Sequence, residues 1–453
     1  MLGVGKEAAR LQLQPTQETF QAFKRIIPCG RLKSMLKDGP ARRLCPRLPD
    51  WFMVWFVIAL GLFNGDSYRQ VFRWLQRWRR NGTPGRSTIC EARQRLGVWP
   101  LRQLHNHVVE LQASPQTPGA FHRHLRLMGV DGWVVDLADS EANAAVFGRP
   151  AGSRAPGAFP QARILSLCEL GTHVMWRSLI RPLACGEQTM AACLLDYLLP
   201  GMLLLWDRNF LSYQRVAQVI GRGSHLLARI KSNMVFRPIK RLRDGSFLAK
   251  LYRSSKDRAK DRNGILVRII EYSFNDPTRS GHGERHRLLT TLLDWRKDPA
   301  KTLILLYHRR WEEELTIDEV KTHQRERPIL RSETPRGVIQ EIYGLLLAHF
   351  VVRKLMFEAA VEKGISPLRV SFVGTLKILR CRLQQCPKDP QTLRRWYADL
   401  ITEVGEEIIE PRRDRVNPRV VKQKMSKWRK KRPEHRDHPQ PHKKIERSIV
   451  LLR

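Results

Sequence analysis

The chain predicts an α/β fold behind a helical N-terminal part, and three features carry that expectation. Hydrophobic residues make up 42% of 453, enough for a sizeable core. The first 120 or so residues carry helix-length apolar patterning. From residue 125 onward, short β-rich apolar runs alternate with helix-length segments.

In the N-terminal part the apolar run Trp51 to Phe63 spans 13 residues, short of the roughly 20 needed to cross a bilayer, and reads as a buried helix. The breaker cluster Asn81-Gly82-Thr83-Pro84-Gly85 interrupts the pattern, and Thr88-Ile89-Cys90-Glu91 fits a capping box that opens a new helix. That helix should end near Gly97 and another begin around Pro100. Together they outline a helix-turn-helix with Arg86, Arg93, Arg95 and Arg102 available to phosphates, or plain helical packing. Residues 1–120 are therefore expected to form a helical domain that binds DNA ends.

The next region reads as strands at Leu127 to Asp131 and Val134 to Leu137, a Gly/Pro loop from Gly148 to Pro160, and a hairpin of Arg163 to Leu170 with His173 to Ile180. A helix from Glu187 to Leu199, a strand Met202 to Trp206, a helix Ser212 to Ile220 and a strand His225 to Ile230 follow. The order β-β-β-α-β-α-β is that of a ribonuclease-H-like nucleotidyltransferase core. That core is assigned to residues 121–231 and 301–405, interrupted by a β-rich insertion at 232–300 with turns at Asp244-Gly245 and Asn263-Gly264. Arg336 to Met356 reads as a further apolar helix. Residues 406–453 form a basic C-terminal tail; from Pro411 on, 16 Lys or Arg face 4 acids.

Charge narrows the partners. The 81 Lys plus Arg exceed the 43 Asp plus Glu by 38, which points to a polyanion and foremost to nucleic acid. The N-terminus lacks a secretory pattern and no run spans a membrane, so a cytoplasmic, nucleoid-associated protein is expected. Eight scattered cysteines offer no zinc spacing and are expected to be reduced. Neither a Walker-type phosphate loop nor a Gly-x-Ser-x-Gly elbow occurs, so ATP use, serine hydrolysis and a small-molecule cofactor are unsupported.

Two acids sit in or directly after apolar strands: Asp131 in Gly129-Val130-Asp131-Gly132, and Asp207 after Leu204-Leu205-Trp206. A carboxylate there needs a pairing or a metal to offset its burial. A third comes from a helix-length stretch beginning Tyr307-His308-Arg309-Arg310-Trp311-Glu312-Glu313-Glu314. Taken as one helix at 100° per residue, Arg310, Glu314 and Lys321 fall within about 60° of Tyr307, whereas Glu312 and Glu313 lie about 200° and 100° around from Glu314. Asp131, Asp207 and Glu314 could hold two divalent cations about 3.5–4 Å apart, with Arg310, Lys321 and Tyr307 gripping phosphates. Asp136 is the serious rival to Asp131. For each acid alone, a cap or an Arg partner is the plainer reading.

These residues resemble the DD(E) transposases of bacterial cut-and-paste insertion sequences, the insertion-sequence-four family. Its signature Tyr-(2)-Arg-(3)-Glu-(6)-Lys is matched at every spacing by Tyr307, Arg310, Glu314 and Lys321, with Trp311 where Trp is common. Val130-Asp131-Gly132, Trp206 to Ser212 and Ala92 to Gly97 add to the likeness, which covers about residues 40 to 420. The resemblance implies a DNA transposase using two Mg2+ ions, for which Mn2+ can substitute. Such an enzyme binds terminal inverted repeats, nicks one strand, uses the freed 3′-hydroxyl to form a hairpin, and joins the reopened end to target DNA. Double-stranded DNA is the partner, and a homodimer forms the synaptic complex. Asp131, Asp207 and Glu314 are the implied metal ligands; Tyr307, Arg310 and Lys321 hold the DNA end. Some relatives stack a flipped base on a Trp before Leu-Leu-Thr; here His286 and Arg287 precede Leu288-Leu289-Thr290 and Trp295 is displaced, so that role is unassigned. A structure-specific nuclease and a non-catalytic DNA-binding protein derived from a transposase are the alternatives.

Overall fold

The computed structural model describes residues 27, 29–39, 48–75, 83–151, 156–273, 284–387 and 389–410; the basic segment from Pro411 lies outside the described residues. Among the described residues five N-terminal helices come first: α1 Cys29–Lys37, α2 Asp50–Leu62, α3 Tyr68–Leu75, α4 Arg86–Leu96 and α5 Trp99–Val108. Helix α2 is buried from Phe52 to Leu62, as a helix apolar on every side must be. Its neighbour is α12, Pro335–Lys363, the longest helix of the described residues. The two cross at a pair of glycines: a Cβ on Gly61 would stand 2.2 Å from the Gly344 carbonyl oxygen, and one on Gly344 would stand 2.5 Å from that of Val57. Because of this approach the N-terminal helices share one hydrophobic core with the rest of the fold.

The two helices of that outline form as α4 and α5, with two corrections. Helix α4 starts after Gly85, two residues before Thr88, so the capping box does not form. Arg93 is buried, bonded to Gln340, Tyr68 and the Gly337 carbonyl, and Arg95 bonds the Leu48 carbonyl. Those two arginines therefore hold α4 in place, while Arg86 and Arg102 remain exposed.

One 11-stranded sheet organises the rest. It comprises β1 Phe121–His122, β2 Leu125–Leu137, β3 Gln161–Glu169, β4 Val174–Pro182, β5 Met202–Trp206, β6 His225–Arg229, β7 Lys240–Arg241, β8 Phe247–Leu251, β9 Ile265–Tyr272, β10 His286–Thr290 and β11 Ile329–Leu330. The two runs expected around residues 127–137 are one continuous strand, β2. The order β4-β3-β2-β5-β6, with β2, β3 and β4 antiparallel and β5 and β6 parallel to β2, is the third-second-first-fourth-fifth arrangement of a ribonuclease-H-like core. The strands of residues 232–300 extend that sheet beyond β6, through β10, β9, β8 and β7. Gly245 turns there at a φ of 84°, and Asp244 accepts from the Ser246 amide and hydroxyl.

Helices α6 Glu141–Phe147, α7 Glu187–Leu195 and α8 Tyr213–Gly221 connect the strands, with α9 Ser255–Ala259 between β8 and β9. Next come α10 Ala300–His308, α11 Trp311–Asp318 and a π-helical turn Glu319–Gln324; α13 Phe372–Leu383 and α14 Pro390–Glu406 follow α12. The single helix expected from Tyr307 to Lys321 is thus three pieces. Among the described residues no helix is long and apolar enough to cross a membrane.

Candidate active site

The site is built where β5 ends. In the parallel pairing Gly129 stands opposite Leu205, so Asp131, two residues on, lies level with Asp207, the first residue past β5. Alternation then puts both carboxylates on the face that carries Leu125, Leu127, Leu203 and Leu205. Helix α10 covers that face with Leu303, Leu306 and Tyr307. Each aspartate makes a short local bond: Asp131 Oδ1 accepts from the Gly132 amide at 2.8 Å, and Asp207 Oδ1 from the Arg208 amide at 2.7 Å. Burial pushes the Asp131 carboxyl up; the Gly132 amide and Arg310 oppose that, and the charges of Glu187 and Asp207 add to it. Asp136, its rival, falls on the other face by the same alternation and accepts from Gln161 Nε2 at 2.8 Å.

Helix α10 stops at His308, and the chain turns through Arg309 and Arg310 before α11 begins. Tyr307, just before the turn, stays close enough to Arg310 and Glu313 to act on both electrostatically. Its hydroxyl donates to the Trp206 carbonyl at 3.2 Å, one residue before Asp207, and burial pushes the phenol up. Arg310 Nη2 bonds Glu314 Oε1 at 3.1 Å. Burial works against the Arg310 charge, but Glu313, Tyr307, Asp207 and Asp131 together outweigh it and raise its pKa. Lys321 is exposed on the π-helical turn, whose wider winding takes it off the azimuth that a continuous α-helix gives.

Glu313 departs most from expectation. The continuous-helix geometry turned it away, yet it is 1% exposed and faces Asp131 and Asp207. A Cβ on Gly129 would stand 1.6 Å from Glu313 Oε1, so β2 and α11 meet closely only because residue 129 has no side chain. Burial pushes the Glu313 carboxyl well up; Arg310 opposes this, Asp131 and Asp207 add to it, and the Val130 amide lowers it. Its Oε1 has no hydrogen-bond partner. The useful sequence signal was Gly129, a glycine inside an apolar strand on the same face as Asp131, which marks a bulky neighbour.

Sequence reasoning also missed a buried cluster beside this one. His173, at a left-handed φ of 57°, bridges Glu312 Oε2 at 2.9 Å and Glu319 Oε1 at 2.8 Å. Glu319 Oε2 accepts from His349 Nε2 at 2.9 Å and from Arg353 Nε at 2.8 Å. These bonds tie both ends of α11 to the β3–β4 turn and to α12. The one signal for them was the excess of acids in Glu312 to Glu319.

Asp131, Asp207, Glu313 and Glu314 thus surround one guanidinium, that of Arg310, leaving an excess of negative charge and one unpartnered carboxylate oxygen. That donor set suits hard divalent cations. Glu314 is turned to Arg310, however, and among the described residues no three His, Cys, Asp or Glu side chains are grouped tightly enough to hold an ion as placed.

Of the residues in this centre, Asp207, Arg310, Glu313 and Glu314 fall in a stretch shared with a known family, and Asp131 lies ahead of it. Residues 17–106 match the family described as Insertion element 4 transposase N-terminal, and residues 147–351 match the Transposase DDE domain. Over 393 residues, 84% of this chain and 87% of the other, the protein is 28% identical to the transposase InsG for insertion sequence element IS4 of Escherichia coli (strain K12). The chain belongs to the insertion-sequence-four family of DDE transposases. The transposase is also 23% identical over 172 residues to the putative transposase InsZ of the same organism, covering 37% of this chain and 56% of that one. The piggyBac transposase in a synaptic complex with hairpin DNA aligns over 88% of both chains at 13% identity and a TM-score of 0.44, too distant to add to the strand order.

In this transposase the Trp sought before Leu-Leu-Thr is replaced by residues with structural partners. His286 lies 5.1 Å from the Tyr272 ring, and Arg287 bonds the carbonyls of Lys231, Ser232 and Met234. Trp295 stacks with Arg296 at 5.7 Å. Cys90, Cys168, Cys185, Cys193, Cys381 and Cys386 are free thiols.

Proposed function

We propose that the protein binds the terminal inverted repeats of its own mobile element as double-stranded DNA, cleaves the ends through a hairpin, and joins them to target DNA. The observation that carries this reading is the pairing of Asp131 with Asp207 at the end of β5, with the Arg310–Glu314 pair against them. Asp131, Asp207 and Glu314 would hold two Mg2+ ions, or Mn2+ in their place. Bound there, the metals supply an activated water or 3′-hydroxyl and a stabilised leaving oxygen. Arg310, now bonded to Glu314, would bind a phosphate of the DNA end by its fork of donors. Tyr307 keeps Asp207 in register through the Trp206 carbonyl, and its ring covers the floor of the site next to the DNA end. Lys321, exposed one turn beyond α11, meets the backbone farther along.

Residues 1–120 would bind the ends, residues 121–231 and 301–405 act as the catalytic core, residues 232–300 lie along the backbone, and the basic region from 406 adds non-specific contact. A homodimer pairs the ends in the synaptic complex, in the cytoplasm at the nucleoid. Cleavage of an element-end duplex in Mg2+ by the wild type and by Glu314→Gln tests the centre. Loss of cleavage with duplex binding retained is expected; equal cleavage overturns the ligand assignment. Adding a target duplex separates transposition from simple nuclease action, which yields no joined product.

A further inference from the structure

We infer that a small basic cup at the edge of the sheet is a second phosphate site, one that takes a backbone phosphate of the duplex away from the acidic centre. The inference rests on the reading that duplex DNA is the substrate. The cup has a volume of about 110 Å³ and lies where the edge strand β4 meets α5 and α12. Its polar lining is Arg102 and Asn106 from α5, Arg177, Ser178 and Arg181 from β4, Tyr343 from α12, and Tyr197 from the segment after α7; among the described residues no acid lines it.

Several arginines elsewhere in the protein are paired with carboxylates. Arg163 is bonded to Glu187 at 2.6 Å and Arg222 to Asp196 at 2.6 Å. Among the described residues, Arg102, Arg177 and Arg181 pair with no carboxylate. Arg177 is held from behind instead: its guanidinium sits 4.4 Å from the Trp176 ring and 5.5 Å from the Tyr197 ring, and Nη1 donates to the carbonyls of Val109 and Trp176 at 3.2 and 2.8 Å. Burial pulls its pKa down, so its charge is poorly compensated by the protein. Arg102 and Arg181 both come close enough to the buried Tyr343 hydroxyl to act on it electrostatically.

Three uncompensated cations around one small cavity repel each other, and a bound anion relieves that repulsion. The planar forks and the two phenols supply donors suited to phosphate oxygens. A polymer phosphate suits the cup better than a free one, because Arg102 and Arg181 are exposed at its rim.

The test uses the full chain, a fluorescent duplex of arbitrary sequence, and binding measured across a range of salt. For Arg102→Gln/Arg181→Gln, the slope of log K against log salt should lose about 0.9 per phosphate contact removed, which is about an eightfold loss of affinity at tenfold lower salt. Arg102→Lys/Arg181→Lys should recover most of it. Arg394→Gln/Arg395→Gln, which removes equal charge from an exposed face of α14, should change the slope less. Equal loss in that control overturns the site, because net charge alone would then explain the effect. A second arm compares the melting temperature in inorganic phosphate and in chloride at matched ionic strength. A phosphate-specific rise lost in the Gln variant, with the duplex slope unchanged, overturns the DNA assignment in favour of a free phosphate or nucleotide. Should the double variant fail to fold, Arg102→Gln alone carries the test. Active Glu314→Gln would refute the acidic centre and leave the salt slopes unaffected, so the two failures are distinguishable.

Discussion

Replacing Gly129 by alanine should damage catalysis more than stability, and Glu313 should be the reason. The added Cβ would stand 1.6 Å from Glu313 Oε1, 2.3 Å from Cδ and 2.4 Å from Cγ. Ordinary carbon contacts lie at about 3.5–4.0 Å, so the side chain or the helix must give by roughly 1.5–2 Å. The side chain has nowhere to go, being 1% exposed with Asp131 and Asp207 near it, so α11 must recede from β2. Overpacking of this kind costs about 1–3 kcal/mol, read from urea unfolding. The same shift carries Arg310 and Glu314 away from the aspartates. A displacement near 1 Å typically costs about 10²-fold in rate, so end cleavage should fall at least that far. Adding Glu313→Ala to Gly129→Ala makes the space that the new methyl group needs. In the double variant, stability should recover by about 1–3 kcal/mol relative to the sum of the single changes, and cleavage should return in part. Additivity within about 0.5 kcal/mol, with cleavage still lost, would falsify the claim that Gly129 is there to admit Glu313.

Two further outcomes concern buried charge. For Glu319, burial alone would push the carboxyl up, but Arg353 and His173 outweigh it and hold the group well below the carboxylate range; its stabilising effect is present above the ordinary carboxyl pKa and is lost as pH falls. Glu319→Gln should cost about 3–5 kcal/mol at pH 7, with the gap to wild type narrowing below roughly pH 4, and a gap under about 1 kcal/mol at pH 7 would dismiss the cluster as an anchor. His105, fully buried and close to Arg177, is pulled down to about 4 by its burial and then by that arginine. Its folded form is neutral, so stability holds above pH 6.5 and falls by roughly 3 kcal/mol on acidification toward pH 4; His105→Leu should remove that component, and an unchanged pH profile of unfolding would refute it.

The sheet was readable because its signals are local. Met202 to Trp206 is five apolar residues with an aspartate after them, and it forms the strand with those bounds. The hairpin of β3 and β4 likewise announced itself by two β-rich runs around Gly171. Position in or after an apolar strand singled out Asp131 and Asp207, and signature spacing singled out Arg310 and Glu314; the fold brings Arg310 to the two aspartates, with Glu314 bonded to it. The break between α10 and α11 was not readable, since Tyr307 to Trp311 contains neither Gly nor Pro and each residue there tolerates a helix. What divides the helix is tertiary. Tyr307 is held by a carbonyl of β5, Glu312 by His173 on the β3–β4 turn, and Glu313 by the notch at Gly129. These anchors come from 101, 139 and 184 positions away in sequence, and no 100° rule can contain them. The failure is informative about the site itself. A continuous helix would have put Glu314 and Tyr307 on one stripe and left Glu313 outside. The divided helix instead gives Tyr307 to the strand, turns Arg310 inward among the acids, and holds Glu314 by its bond to that guanidinium. A separate α11, fastened at both ends by the His173–Glu319 cluster, sets the spacing of Arg310 and Glu314 independently of α10. Changes in that cluster should therefore reach the acidic centre without touching it.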